Sequence, residues 1–312
     1  MNELDARAGR DISDAAVARA ENALRGDSAA PPSHGAVGSE HASTRTKRWL
    51  VALDIDGTVM REDGTITEAV VAAVNRVATA GHEVMLATGR SAASTLPVAE
   101  RLGIRPRFLV CANGAITLER DDTEPTGYRR AHVETFDPTD VLQTVHGALD
   151  GAAFGVEDET GKYRIAGPFP DGAISAPAER VSFEDLLGSV ACRVVVISPG
   201  HDLDDFLSVV DRMGLHKVSY TVGWTAWLDI APDGVTKATA MERVREHLDI
   251  PRSRVFVAGD GRNDIGMLQW ASTSGRGMVM GQAPEDVVEA GNERTATVDD
   301  DGLVAALHTL PQ

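Results

Sequence analysis

The chain has 312 residues, enough for one large domain or two of ordinary size, and its 43% hydrophobic and 25% charged residues match a globular protein with a sizeable core. Aromatic residues make up only 4%, so that core rests mainly on Ala, Val, Leu and Ile. The net charge is −17, and residues 1–48 hold seven side chains of each sign, so the whole imbalance falls on the remainder. A body this acidic argues against holding a nucleic-acid polymer through a general positive field. It leaves room for a small phosphorylated partner, because a bound cation inverts the local field.

No apolar run reaches the ~20 residues of a membrane-spanning helix, and residues 1–7 lack the basic start and apolar stretch of a secretion signal. Cys111 and Cys192 lie far apart within apolar stretches, which predicts two buried reduced thiols and a cytoplasmic location. The sequence carries no signal for an oligomeric state.

Residues 1–47 read as a disordered tail. Ser13 suits the cap of a short helix over residues 14–25, but the stretch that follows, to Thr46, is rich in Gly, Ser, Ala, Pro and His, as linkers are. Ordered structure is expected from Arg48. The run Trp49-Leu50-Val51-Ala52-Leu53 is continuously apolar and stops at Asp54, as a strand buried on both faces would. Helical spacing follows over residues 69–80, then a second buried strand at 84–87. A helix over 91–102 precedes a third strand at 108–111. This alternation predicts a doubly wound α/β core built on a parallel, Rossmann-like sheet.

The rhythm then changes. Residues 153–156 and 163–166 flank Glu159-Thr160-Gly161 as a hairpin, and residues 217–222 and 226–230 flank Gly223-Trp224-Thr225 as another. Between them a strand at 192–197 and a helix at 203–213 are expected. Residues 120–228 therefore read as an inserted α+β cap, and residues 48–119 with 229–312 as the core. The core rhythm resumes with a helix over 237–248, a strand at 254–258, a helix from Asn263 to about Trp270 and a strand at 277–280.

In open α/β sheets, ligands bind beyond the carboxyl ends of the strands. Four such ends carry polar residues here: Asp54 and Asp56, Thr88, Asn113, and Asp260 with Asp264. Two positions apart at a strand end, Asp54 and Asp56 can face one crevice. Four carboxylates brought together repel one another unless a cation lies among them, and hard oxygen ligands favour Mg²⁺. Lys237, the Thr88 hydroxyl and the backbone of Gly57-Thr58 supply donors for a phosphate.

Two rival readings fail on composition. A calcium loop starting at Asp54 would place Val59 where glycine is needed and Thr65 where the bidentate glutamate belongs. A dinucleotide fingerprint at Gly259-Asp260-Gly261 would place Asp264 where a small residue is needed.

Asp54-Ile55-Asp56-Gly57-Thr58 resembles the first motif of the haloacid dehalogenase superfamily. Thr88-Gly89-Arg90 resembles the second, Lys237 the third, and Gly259-Asp260-Gly261-Arg262-Asn263-Asp264 the fourth. Order and spacing are similar to the Cof-type phosphatases, which carry a large cap between the second and third motifs. The likeness runs on through Val279-Met280-Gly281-Gln282-Ala283-Pro284-Glu285. Ala238 departs from it, standing where many relatives have glycine.

The resemblance implies a Mg²⁺-dependent phosphatase acting on small phosphate monoesters, whether sugar phosphates, phosphorylated cofactors or nucleotides. Asp54 is then the nucleophile that forms an aspartyl-phosphate, and Asp56 the acid and base. Asp54, Asp56 through its carbonyl, and Asp260 hold the metal, with Asp264 a ligand or an anchor behind the ligands. Thr88, Lys237 and Asn263 bind the phosphoryl group. Arg90, Asn113, Gly114 and Asp229, with Trp224 and Trp227, are candidates for contact with the leaving group. The expected partner is a small phosphorylated metabolite, with no membrane and no nucleic-acid polymer. A phosphotransferase or phosphomutase using the same intermediate, or a non-catalytic binding protein on this fold, are the alternatives. His82, His132 and His146 lack metal-ligand spacing and are expected at the surface.

Overall fold

The computed structural model describes residues 48–169, 174, 178–215, 218–222 and 226–312. The expected tail and Trp224 lie outside the described residues. The chain begins with β1 (Leu50–Leu53), α1 (Glu68–Thr79), β2 (Glu83–Leu86), α2 (Ala92–Arg101), β3 (Phe108–Cys111), β4 (Ile116–Arg120) and β5 (Tyr128–Val133). It continues through α3 (Thr139–Ala148), β6 (Ala153–Glu157), β7 (Tyr163–Ala166), β8 (Ala178–Arg180), β9 (Arg193–Ile197), α4 (Leu203–Met213), β10 (Val218–Val222) and β11 (Trp227–Pro232). The last part comprises α5 (Lys237–His247), β12 (Val255–Gly259), α6 (Ile265–Ser272), β13 (Arg276–Val279), α7 (Glu285–Val288), β14 (Glu293–Arg294) and α8 (Gly302–His308).

Five strands form a parallel sheet in the order β14-β13-β12-β1-β2. β1 is buried on both faces because its residues alternate between two apolar layers. Val51 and Leu53 pack with Val74, Val77 and Leu307, whereas Leu50 and Ala52 pack with Met241, Val244 and Met267. Side chains two apart share a face, so an uninterrupted apolar run is what a doubly covered strand requires. Helix starts are fixed locally, with Thr67 accepting from the Val70 N–H and Ser91 from the Ser94 N–H.

The expected third strand, Phe108–Cys111, lies beside β2, held by a parallel bridge between Ala87 and Val110 and by the Thr88 N–H donating to the Val110 carbonyl at 2.9 Å. Its other edge pairs antiparallel with β4 in a three-stranded sheet, β3-β4-β5. The tight turn at Ala112–Gly114 returns the chain at once, so β4 offers a full antiparallel edge beside β3.

The remaining strands form a six-stranded sheet, β10-β11-β9-β6-β7-β8. Both expected hairpins are present as antiparallel pairs, β6 with β7 and β10 with β11. One face carries Phe154, Val156, Val194, Val196, Leu228 and Ile230 against residues of α3 and α4. The opposite face carries Ala153, Tyr163, Ile165 and Val195, together with a polar set, Glu157, Arg193 and Asp229. Both cysteines are buried and free. No described helix is long and apolar enough to cross a membrane.

His82 corrects one expectation, because it is buried. Its Nδ1 accepts from the Trp49 N–H at 3.2 Å and its Nε2 lies 2.9 Å from the Pro311 carbonyl, so it fastens the end of the chain to the start of β1. His146 stacks on Phe183 with ring centroids 4.0 Å apart.

Candidate active site

Asp54, Thr88 and Asp260 follow β1, β2 and β12, so all three stand at the carboxyl edge of the parallel sheet. Lys237 opens α5. Thr236 caps that helix by accepting from the Thr239 N–H, while the Thr239 hydroxyl oxygen accepts from the Thr236 N–H. A lysine at a helix N-terminus opposes the dipole and is nowhere near its preferred end. Its position here is set by carboxylates. Lys237 is buried, with Nζ 2.5 Å from Asp54 Oδ1 and 2.7 Å from Asp264 Oδ1.

Asp264 is held from two sides. Its Oδ1 accepts from Lys237, and its Oδ2 accepts from the backbone N–H groups of Asp260 (3.0 Å) and Gly261 (2.9 Å). Gly259 permits this fit, because a Cβ there would sit 2.5 Å from Asp264 Cγ. Asp260 accepts from Gln282 Nε2 at 3.1 Å on Oδ2 and from the Thr58 hydroxyl at 3.4 Å on Oδ1. Gly57, at φ +78°, is needed for the same approach, since its Cβ would lie 2.1 Å from Asp260 Oδ2.

Oxygens of Asp54, Asp260 and Asp264 lie within 4.8 Å of one another, and all three residues are buried. Burial raises the Asp54 carboxyl well above the ordinary range, helped by Asp264 and opposed by Lys237. Asp260 is pushed up to about 7 by burial and then by Asp264, while Gln282, Lys237 and Thr58 pull the other way. Burial alone would lower the Lys237 ammonium, but Asp264 and Asp54 more than offset it and keep the charge on. Ionised, three carboxylates against one ammonium leave an excess of two negative charges. A divalent cation cancels that excess, and a buried all-oxygen donor set fits Mg²⁺.

Asp56 does not join this cluster. Its carboxylate is exposed and accepts from Arg90, Nε to Oδ2 at 2.9 Å and the terminal nitrogen to Oδ1 at 2.6 Å. The expectation of four clustered carboxylates is thereby corrected to three. Thr88 is buried, and its hydroxyl oxygen accepts from the Arg90 N–H at 3.1 Å. Asn263 Nδ2 donates to Asn113 Oδ1 at 3.2 Å, which joins two of the expected positions, and Asn113 adopts φ +51°. Gly114 has a packing role: at φ +106° it lies under the Thr236 carbonyl, where a Cβ would come to 2.2 Å. Asp229 is engaged within the six-stranded sheet, accepting from Arg193 Nε at 2.6 Å and Trp227 Nε1 at 3.1 Å.

The Thr58 hydroxyl and Gln282 were not singled out as site residues by sequence. Gln282 follows the carboxyl end of β13, the same kind of position that flagged the other strand ends.

The family model for haloacid dehalogenase-like hydrolases matches residues 51–307. Among curated proteins, the 5-amino-6-(5-phospho-D-ribitylamino)uracil phosphatase YitU of Bacillus subtilis is 27% identical, covering 84% of this chain and 97% of its own. The HMP-PP phosphatase of Yersinia enterocolitica is 25% identical, with 75% of this chain and 84% of its own covered. Among solved structures, the subclass IIB sugar phosphatase BT4131 superposes with a TM-score of 0.70 at 21% identity, over 84% of this chain and 98% of its own. BT1666 from Bacteroides thetaiotaomicron gives 0.66 at 24% identity, over 89% and 99%. These two structures share the fold. The chain belongs to the haloacid dehalogenase-like hydrolase family, in its Cof-type phosphatase branch.

Proposed function

We propose that this protein is a Mg²⁺-dependent phosphatase that hydrolyses small phosphate monoesters through an aspartyl-phosphate on Asp54. The observation that carries this reading is the buried Lys237 ammonium, 2.5 Å from Asp54 Oδ1 and 2.7 Å from Asp264 Oδ1, in a member of this family. It holds one carboxylate oxygen of Asp54 in a fixed direction and keeps positive charge where a phosphoryl dianion arrives.

In this reading Asp54 attacks phosphorus and the ester oxygen departs as an alkoxide. Asp56 gives that alkoxide a proton, then takes one from the water that attacks the phosphorus of the acyl phosphate, which returns Asp54 and inorganic phosphate. Thr88, Lys237 and Asn263 supply donors to the phosphoryl oxygens. Asp54, Asp260 and the Asp56 carbonyl would hold Mg²⁺, with Asp264 fixing the loop behind them. When bound, the cation neutralises charge on the phosphoryl oxygens. Asp264 suits the anchoring part because both its oxygens are already engaged by Lys237 and two backbone N–H groups.

The substrate class is a small phosphorylated metabolite, a sugar phosphate, phosphorylated cofactor or nucleotide. The relatives' names support that size and chemistry, one of them acting on a phosphate carried by a ribityl chain. Phosphate release measured over a metabolite panel, with Mg²⁺ and with EDTA, tests the proposal. Turnover that needs Mg²⁺ and vanishes in Asp54→Asn, with the melting curve intact, is expected. Substantial turnover in that variant would exclude the mechanism, and transfer of the ester's phosphoryl group to an added acceptor, with no inorganic phosphate formed in water alone, would make the protein a phosphotransferase.

A further inference from the structure

Gln282 ties together three segments that are distant in sequence. Its Nε2 donates to the Gly57 carbonyl at 2.6 Å and to Asp260 Oδ2 at 3.1 Å, and its Oε1 accepts from the Val298 N–H at 3.0 Å. The amide can face only one way in this setting. Two acceptors stand at one end and a backbone donor at the other, so a flipped amide would lose all three bonds.

The contact with Asp260 is well directed. Thr58 reaches the opposite oxygen of that carboxylate at the longer distance of 3.4 Å, so Gln282 supplies the shorter of the two side-chain hydrogen bonds to it. One residue thus grips both the turn that follows Asp56 and the carboxylate of the facing loop. The turn itself is stiff, with the Gly57 N–H donating to the Met60 carbonyl at 2.8 Å. On its far side Gln282 is braced by the chain end: the Gly281 N–H donates to the Ala296 carbonyl at 2.9 Å and Arg294 donates to the Gly281 carbonyl at 2.8 Å.

We infer that Gln282 is a positioning residue that sets the Asp260 carboxylate, relative to the Gly57 turn, for a divalent cation. This rests on the reading of the Asp54–Asp260–Asp264 cluster as a cation site. Outer hydrogen bonds of this kind fix the direction of a ligand's lone pairs and its share of negative charge, and removing one typically weakens metal binding ~10–100-fold. Gln282 is exposed at the rim of the site and is absent from the apolar core, so its removal withdraws hydrogen bonds without opening a cavity.

The test is direct binding of Mn²⁺ to the full chain, by electron paramagnetic resonance of free Mn²⁺, with no substrate present. Gln282→Met keeps the bulk and loses every hydrogen bond, while Gln282→Ala loses both. Each variant is expected to bind Mn²⁺ ~10–100-fold more weakly than the wild-type protein, with a metal-free melting curve close to wild type. The Mg²⁺ concentration for half-maximal phosphate release should rise by a similar factor, and saturating Mg²⁺ should recover most of the lost turnover. Mn²⁺ affinity of Gln282→Met within twofold of wild type would overturn the inference, whatever Gln282→Ala does, because the effect would then be one of bulk. A wild-type protein that binds no Mn²⁺ would sink the cation reading itself, which is a separate result from wild-type binding with unchanged variants.

Discussion

Arg90 grips Asp56 with two hydrogen bonds from one guanidinium, at 2.9 and 2.6 Å, while Asp54 only two positions earlier is buried against Lys237. Two carboxylates of one short loop are therefore handled by different cations, one in solvent and one in the interior. Such a fork restrains the rotamer of Asp56. Arg90→Ala should leave stability within about 1 kcal/mol, as for other exposed pairs. Turnover should fall, by less than the ~10²–10⁴-fold expected of Asp56→Asn. Steady-state kinetics beside thermal melts check this, and wild-type kcat in Arg90→Ala would show that the pair has no part in positioning Asp56.

Lys237 is the counter-charge of the interior. Lys237→Met would leave Asp54 and Asp264 facing each other across the vacated space, and breaking a buried pair from one side costs about 3–5 kcal/mol. The loss should be largest at neutral pH and shrink as acid protonates Asp54, whose carboxyl is already raised well above the ordinary range by burial. Urea melts at two pH values measure it. A pH-independent loss would point to packing instead of charge.

Asp260 should make cation binding depend on pH. Its carboxyl is raised from 3.8 to about 7, chiefly by burial and then by Asp264, so folding favours its protonated form. In the absence of cation that contribution to stability is complete below about 3.8 and lost as pH rises through about 7. Cation binding runs the other way, since the proton must leave first. Mn²⁺ affinity should climb as pH rises through about 7 and level off above it, and titration calorimetry in buffers of different ionisation enthalpy should register proton release. Affinity that is flat across this window would contradict the assignment.

Gly57 answers to two constraints at once, a φ of +78° and a Cβ position 2.1 Å from Asp260 Oδ2. Gly57→Ala should destabilise the protein by more than ~1 kcal/mol, because alanine is strained at positive φ. It should also weaken Mn²⁺ binding by displacing Asp260. Gly64 is the control. At φ +81° it has nothing within 4 Å of a Cβ, so Gly64→Ala should carry the backbone strain and leave Mn²⁺ affinity unchanged.

By itself the sequence determined the doubly wound core, both hairpins of the second sheet and the strand ends that carry chemistry. Those are local properties: Leu50–Leu53 is apolar throughout because both its faces are covered, and Asp54 marks where that cover ends. Lys237 was legible as a phosphate donor of the same crevice from motif and helix start, whereas its grip on Asp54 and Asp264 was not. Tertiary structure decided the rest. Only the packed fold separates Asp56 from the other three carboxylates, since which cation reaches it depends on where the loop between β2 and α2 places Arg90. The packing of Gly114 under Thr236 and the grip of Gln282 on Gly57 and Asp260 likewise arise between segments far apart in the chain. Periodicity reports which face of an element is buried, but it carries no information about which distant group that face will meet.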